Sequence, residues 1–299
     1  MTTMVLDVGG TAIKSAICTD GILADIQETP TEADKGGPHV AERIKNIIAE
    51  YLQKHTSFKC IGISTAGQVN PVLGQIIYAN ENIPGYTGTR LKEMMEKEFH
   101  IPTYVENDVN AAAIGESVFG AGKGRRNFAC LTYGTGVGGA IFYDGKLYSG
   151  SSYSAGEFGA IVTHPEQRQA DQDLFSGCYE KYASATALVN RAMPFDASLS
   201  NGRRIFEEIN NPEVKQIVDD WISEIIYGLI TIVHMLNPEC IILGGGIMEQ
   251  PYLLKQIRER LYSEIMPSFR HVKIEKAELG NRAGILGASV LYNIRSKGR

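Results

Sequence analysis

The amino-acid sequence predicts an α/β protein built from two copies of one order of elements, and three observations lead there. A length of 299 residues suits two domains of roughly 150 residues each better than one core. Hydrophobic content of 43% with 32 glycines and 21% charged residues describes a globular, turn-rich chain. Two glycine-rich turns, at Gly9-Gly10 and Gly134–Gly139, each lie between β-like apolar runs. Each is followed by strand, helix, strand, helix and strand in that order.

The first copy opens with a strand at Thr3–Val8, the turn Asp7-Val8-Gly9-Gly10-Thr11 and a returning strand at Ala12–Cys18. Successive glycines let backbone amides approach an anion without Cβ interference. Gly9 and Gly10 therefore suit phosphate, with a hydroxyl donor from Thr11 and a charge from Lys14. Asp7, at the strand end, is placed to hold a metal ion through water. A plain hairpin turn uses the same Gly-Gly pair.

A third strand at Ile22–Glu28, an amphipathic helix over about Pro38–His55 and a strand at Lys59–Ser64 follow. The last runs into the turn Thr65-Ala66-Gly67-Gln68-Val69. Ligands gather at the carboxyl ends of strands in open α/β sheets, which makes Gly67 a candidate site residue. A β-like run over Val72–Ala79 leads to a polar loop in which Asn82 suits either a hydroxylated substrate or a turn. A helix over Gly88–Phe99 comes next.

Pro102–Val105 reads as a short buried strand and Asn110–Val118 as a helix, so Glu106-Asn107-Asp108 stands at their junction. A carboxylate at the mouth of a helix feels the unpaired amides of its first turn. That favours the ionised form and lets Asp108 take a proton from something else. Asn107 or Asp108 equally suits a helix cap.

The second copy begins with a strand at Asn127–Tyr133, the turn Gly134-Thr135-Gly136-Val137-Gly138-Gly139, a strand at Ala140–Tyr143 and a short one at Lys146–Tyr148. A dinucleotide fingerprint of similar spacing would open a helix, whereas this turn lies between strands. A long helix over about Glu213–Leu236, a strand at Cys240–Leu243, a helix over Tyr252–Ile265 and a strand at Val272–Glu275 complete the order. The cluster Gly244-Gly245-Gly246 ends a strand, where bare backbone can lie against a base or ribose. An ordinary strand-to-helix turn is the plainer alternative. Duplication explains the paired glycine hairpins: each offers its turn to a cleft between domains, and together they can grip one nucleotide. Asp7 has no acidic counterpart in the second copy, where Tyr133 stands, so a metal is assigned to the first.

Several classes are disfavoured. No run of about 18 apolar residues suggests a membrane span. The start has no basic segment followed by an apolar core, so the chain is expected in the cytoplasm. Its five cysteines are scattered singly in apolar runs, which suits buried thiols in a reducing compartment. A net charge of -5 argues against a nucleic-acid partner.

Taken together the motifs become specific. Asp7-Val8-Gly9-Gly10-Thr11, Glu106-Asn107-Asp108-Val109-Asn110-Ala111, Thr135-Gly136-Val137-Gly138-Gly139-Ala140, Gly156-Glu157-Phe158-Gly159 and Leu243-Gly244-Gly245-Gly246 span nearly the whole chain. In that order they make the chain resemble a sugar kinase of the ROK family (repressor, open reading frame, kinase). The resemblance implies the duplicated actin, Hsp70 and hexokinase ATPase fold, which is ribonuclease H-like, with two lobes and a central cleft. It implies Asp108 as general base on a sugar hydroxyl, and Asn82, Asn107, Glu157 and Glu180 on the other hydroxyls. ATP with Mg2+ would sit on the glycine turns, and a homodimer is usual in similar proteins. Independently, Asn107 and the two glutamates suit polyol recognition, since each offers two hydrogen-bonding atoms to neighbouring hydroxyls.

Two departures matter. Many members carry a histidine in place of Ala160 and a three-cysteine zinc cluster soon after. Here Gly177-Cys178-Tyr179-Glu180 keeps only the tail of that cluster. His164 and one cysteine cannot complete a tetrahedral site, so no structural zinc is expected. Ala160 opens space beside the sugar, similar to the β-glucoside kinase branch, and an N-acylated hexosamine could use that space too. Alternatively Phe158 or His164 fills it. The first lobe is expected over 1–110 with the closing helix 283–299, and the second over 111–282. The segments His164–Asp173 and Met193–Arg204 read as surface excursions. Repressor members need a winged helix-turn-helix ahead of the first glycine turn, and only a few residues precede Asp7 here. A catalytically silent sugar sensor is the other alternative, against which Asp108 and the three glycine clusters speak.

Overall fold

A computed structural model describes residues 1–55 and 58–296, with backbone only at Ser296. Residues 297–299, which the sequence joins to the first lobe, lie outside the described residues. The chain divides into two compact units. One holds Met1–Lys123, Ser149–Ala155 and the chain from Asn281 onward; the other holds Gly124–Tyr148 and Gly156–Gly280.

In the first unit the strands are β1 (Thr2–Val8), β2 (Ala12–Thr19), β3 (Ile22–Pro30), β4 (Cys60–Thr65), β5 (Gln68–Asn70), β6 (Gln75–Tyr78) and β7 (Thr103–Asn107). Its helices are α1 (Gly37–Lys54), α2 (Leu91–Phe99) and α3 (Asp108–Phe119). The main sheet runs β3-β2-β1-β4-β7. The β1, β2 and β3 neighbours pair antiparallel, and β4 and β7 continue in parallel. Helix α1 lays Val40, Ile44, Ile47, Ile48 and Tyr51 on the core, a spacing of three or four residues that presents one apolar face.

The second unit contains β8 (Phe128–Tyr133), β9 (Val137–Tyr143), β10 (Lys146–Leu147), α4 (Glu180–Ala183), α5 (Ala185–Ala192), α6 (Gly202–Glu207), α7 (Pro212–Leu236), β11 (Cys240–Gly244), α8 (Pro251–Glu264) and β12 (Lys273–Lys276). Its sheet order is β10-β9-β8-β11-β12, with the same antiparallel and parallel neighbours as the first. The duplication read from the sequence is thus a duplication of topology. Helix α7 starts on Pro212 with the Asn211 side chain accepting from Glu213 N–H and ends at left-handed Asn237. Its buried Trp221, Ile222, Ile225, Leu229 and Val233 form the spine of this core.

The last helix, α9 (Ala283–Ser296), packs in the first unit on α3, β1 and β4. The fit is close: a Cβ on Gly287 would lie 1.7 Å from the Ala111 carbonyl oxygen, and one on Gly115 would lie 2.4 Å from that of Ala283. This packing holds α3 in the first unit, so the division falls after Lys123 rather than near residue 110.

Other elements differ from the sequence reading. The run Val72–Ala79 is not one strand: Asn70 Oδ1 accepts from Val72 and Leu73 N–H and turns the chain, leaving both side chains exposed between β5 and β6. The expected helix from Gly88 begins at Leu91, after Gly88 takes a φ of 90°. The turn after β8 covers Gly134–Gly136 alone, because Val137, Gly138 and Gly139 pair with β8. The Met193–Arg204 excursion buries Leu199. Among the described residues no helix is long and apolar enough to cross a membrane.

Candidate functional site

Parallel pairing aligns the carboxyl ends of β1, β4 and β7, so Asp7, Ser64 and Glu106 lie side by side in register. Asp7 Oδ1 accepts from the Ser64 hydroxyl at 2.6 Å, and Lys14 stands opposite Asp7 on β2. Burial raises the Asp7 pKa, opposed by the Ser64 hydrogen bond and the Lys14 charge. A Cβ on Gly284 of α9 would lie 2.7 Å from Asp7 Oδ1, so a glycine there makes the room this carboxylate occupies.

The adjoining turn is fixed from outside the hairpin. Thr31, fully buried, donates its hydroxyl to the Gly9 carbonyl at 2.7 Å and its N–H to the Thr11 carbonyl at 2.9 Å. Gly10 at the turn's tip faces open space, where a Cβ would meet nothing within 4 Å. Lys14 Nζ donates to the Asn281 carbonyl at 3.4 Å.

At the β7 to α3 junction the helix cap falls on Asn107 rather than on Asp108. Asn107 is the cap: its Oδ1 accepts from Val109 and Asn110 N–H, each at 3.0 Å. Its Nδ2 donates to the Gly67 carbonyl at 2.9 Å and to Asp108 Oδ1 at 2.8 Å. An amide makes four hydrogen bonds, and all four are taken. The Asn107 amide thus both caps α3 and touches the Asp108 carboxylate. Asp108 Oδ1 also accepts from Val109 N–H at 2.9 Å. The Asp108 pKa is pushed up to about 6, first by burial and then by the charge on Asp7. The Val109 and Asn107 hydrogen bonds oppose that rise.

Beneath this junction Glu106 is buried, with Oε2 accepting from Arg295 Nη2 of α9 at 2.6 Å and Oε1 from Asn110 Nδ2 at 3.2 Å. Gly67 takes a φ of 90° and has the Tyr78 carbonyl 2.9 Å from where its Cβ would be. Asn82 is exposed in an Asx turn, its N–H donating to Asn80 Oδ1. No element of the first unit fixes its side chain among the described residues.

In the second unit the ends of β8 and β11 bring two glycine clusters together. Gly244 is in register with Thr132, and Gly245, at φ 100°, lies against Tyr133, whose carbonyl would be 2.2 Å from a Cβ. Gly134 and Gly246 face open space. Glu180 underpins the turn: its Oε2 accepts from Val137 N–H at 3.0 Å and lies 2.1 Å from where a Gly136 Cβ would be. Its Oε1 accepts nothing among the described residues. Thr135 and Glu157 are exposed.

The two side chains considered for the space at Ala160 each have a packing partner. Phe158 packs on Gly139, 2.2 Å from where a Cβ would stand. His164 stacks on Tyr182 with ring centroids 3.7 Å apart and approaches Glu224. Ala160 itself is exposed. Arg168 Nη1 donates to the Ser176 carbonyl at 2.7 Å and to Cys178 Sγ at 3.4 Å, tying down the His164–Asp173 excursion. Among the described residues no group of three or more His, Cys, Asp or Glu side chains is placed to hold a metal ion.

Taken by itself, the first unit offers two carboxylates whose pKa values burial raises, Asp108 and Asp7, the latter at the end of the strand that enters the glycine hairpin. The second unit, by itself, offers bare glycine backbone facing open space at Gly134 and Gly246. Sequence reasoning missed Thr31, Gly284 and the Glu106 to Arg295 pair. Gly284, a glycine in the first turn of α9, is the one that carried a signal.

The sequence profile of the ROK family matches residues 3–294. A glucokinase of Halalkalibacterium halodurans is 31% identical over 309 residues, covering 96% of this chain and 93% of that one. A beta-glucoside kinase of Listeria monocytogenes is 30% identical over 293 residues, covering 94% of each. A ROK family glucokinase from Streptomyces griseus, in complex with glucose and AMPPNP, has a TM-score of 0.81 at 28% identity, covering 97% of this chain and 99% of that one.

Proposed function

The chain belongs to the ROK family, and from that membership we infer an ATP-dependent sugar kinase in which Asp108 is the general base on the acceptor hydroxyl, the 6-OH of a hexose, β-glucoside or N-acylhexosamine. The observation that carries the assignment is the Asp108 pKa near 6 together with an Asn107 that fixes the carboxylate's orientation. A base with a pKa near the working pH is both largely ionised and able to accept a proton, which is worth about 10²–10⁴ in rate.

ATP with Mg2+, when bound, supplies the phosphoryl group and offsets its charge. Gly9, Gly10, Thr11 and Lys14 would hold it in the first unit, and Gly134, Thr135, Gly136, Gly244, Gly245 and Gly246 in the second. Asp7 would hold the metal through water, since one oxygen is fixed by Ser64 and the other accepts no hydrogen bond among the described residues. Asp108 takes the proton of the attacking hydroxyl. Gly67, Asn82, Glu157 and the open Oε1 of Glu180 are the proposed sugar ligands, with Asn107 acting through Asp108.

The exposed Ala160, with Phe158 and His164 each packed on a partner, supports acceptors larger than one hexose. The test is sugar-dependent ADP release across hexoses, N-acetylhexosamines and β-linked disaccharides. Release with a sugar supports the kinase. Binding of a sugar with no release would leave the non-catalytic sensor instead. A homodimer in the cytoplasm is part of the proposal, and sedimentation reads the oligomeric state.

A further inference from the structure

We propose that Tyr153 is a specificity-determining residue: an aromatic platform for the second ring of a β-linked disaccharide acceptor, an inference that rests on the kinase reading above. Seven non-glycine residues among those described have positive φ. Asp20 and Asp144 begin Asp-Gly turns, and His100 and Asn237 close α2 and α7. Asp25 lies beside the β2 to β3 irregularity with its carboxylate held by His55, and the Glu32 carboxylate is gripped by Lys35, His39 and Arg43. Tyr153, at φ 63°, has no such account. It closes no helix, precedes no glycine, and its hydroxyl makes no hydrogen bond among the described residues.

A bulky residue is an outlier in the left-handed region, where glycine sits without strain. Such outliers persist when their surroundings over-determine them, and they cluster at binding sites. The surroundings here are specific. Ser149–Ala155 leaves the second copy of the fold to join the first unit. Ala155 N–H donates to the Ser149 carbonyl, and the next residue after Tyr153, Ser154, donates its hydroxyl to Gln68 Oε1 at 2.9 Å. Gln68 follows Gly67, whose carbonyl holds Asn107, which in turn holds Asp108. The backbone that carries this half-buried tyrosine is therefore linked to the residue assigned as base by three successive hydrogen bonds, Ser154 to Gln68, Asn107 to the Gly67 carbonyl and Asn107 to Asp108.

The chemistry of the occupant follows from the ring. The C–H face of a pyranose is apolar and flat, and an aromatic side chain offers a matching surface with few rotors to freeze. As a platform for the second ring, its effect falls on acceptors that extend beyond the phosphorylated hexose.

The experiment compares kcat/KM for cellobiose and glucose in wild type, Tyr153→Phe and Tyr153→Gly. The expected result is a cellobiose-to-glucose ratio reduced about tenfold in Tyr153→Gly and kept in Tyr153→Phe, with the Tm of Tyr153→Gly unchanged or higher because glycine relieves the backbone. An unchanged ratio in Tyr153→Gly, or a wild type that phosphorylates glucose but neither phosphorylates nor binds cellobiose, overturns the inference. Calorimetric cellobiose binding to wild type and Tyr153→Gly repeats the comparison without turnover. A chain that binds sugar but releases no ADP thus refutes the kinase reading alone.

Discussion

Asn107 Nδ2 donates to Asp108 Oδ1 at 2.8 Å while Asn107 Oδ1 caps the helix that Asp108 begins. One side chain thereby ties the orientation of the carboxylate to the start of α3. Replacing Asp108 with Asn keeps the shape and removes the proposed proton acceptor, so Asp108→Asn should lose at least about 10²-fold in kcat while sugar and nucleotide binding persist. Near-wild-type turnover in steady-state assays would remove Asp108 from the role.

The same carboxylate sets a pH dependence. Burial first, and then the charge on Asp7, raise its pKa to about 6, so the ionised form that the proposed base requires is lost as pH falls through about 6 rather than about 4. The acid limb of kcat/KM should lie there with unit slope. Asp7→Asn removes the neighbouring charge and should move that limb to lower pH, whatever it does to the maximum. Folding carries the opposite sign. A folded pKa above the unfolded value favours the protonated form, so this contribution is fully present below about 4 and is lost as pH rises through about 6. Asp108→Asn should therefore be more stable than wild type at pH 8, with the gap closing towards pH 4 in thermal melts.

Thr31 offers a separate test of the glycine hairpin. Its hydroxyl and N–H hold the carbonyls on both sides of the Gly10 tip. Thr31→Val keeps the volume and the N–H but leaves the Gly9 carbonyl without its donor, at a cost of about 1–3 kcal/mol. Expressed as a loosened turn, that should raise the KM for ATP about tenfold and leave the KM for sugar within twofold. An ATP KM within twofold of wild type would detach this turn from the nucleotide.

Motif residues were legible because each marks a place where backbone geometry is unusual: Gly9-Gly10 and Gly134–Gly136 at hairpins, Gly67 and Gly245 at left-handed turns, Asn107-Asp108 at a strand-to-helix switch. Repeated order made the two sheets legible as well, down to their matching strand sequence. The short helices α4, α5 and α6 were not, since 4, 8 and 6 residues give too few turns for an apolar stripe to declare itself. Partners distant in sequence were hidden for a different reason. Nothing local in Glu180 foretells its seat under Gly136, nothing in Thr31 foretells Gly9, and the full engagement of the Asn107 amide depends on the Gly67 carbonyl arriving from another strand.

Glu106 and Arg295 join β7 to the closing helix, and their cost is visible on both sides. Burial raises the Glu106 pKa and lowers that of Arg295, each opposed by attraction to the other. Such a pair is a weak source of stability against an apolar substitute, yet removing one partner strands a buried charge at about 3–5 kcal/mol. Arg295 also donates to the Pro71 carbonyl, so the same guanidinium anchors the turn ahead of β6. Arg295→Met should therefore lower the Tm by roughly ten degrees, at about 2–4 °C per kcal/mol for a unit of this size. Adding Glu106→Gln removes the stranded charge and should recover most of the loss, leaving the Pro71 carbonyl as the residual deficit. A double variant no more stable than Arg295→Met would show that the guanidinium acts through packing and Pro71 rather than through Glu106.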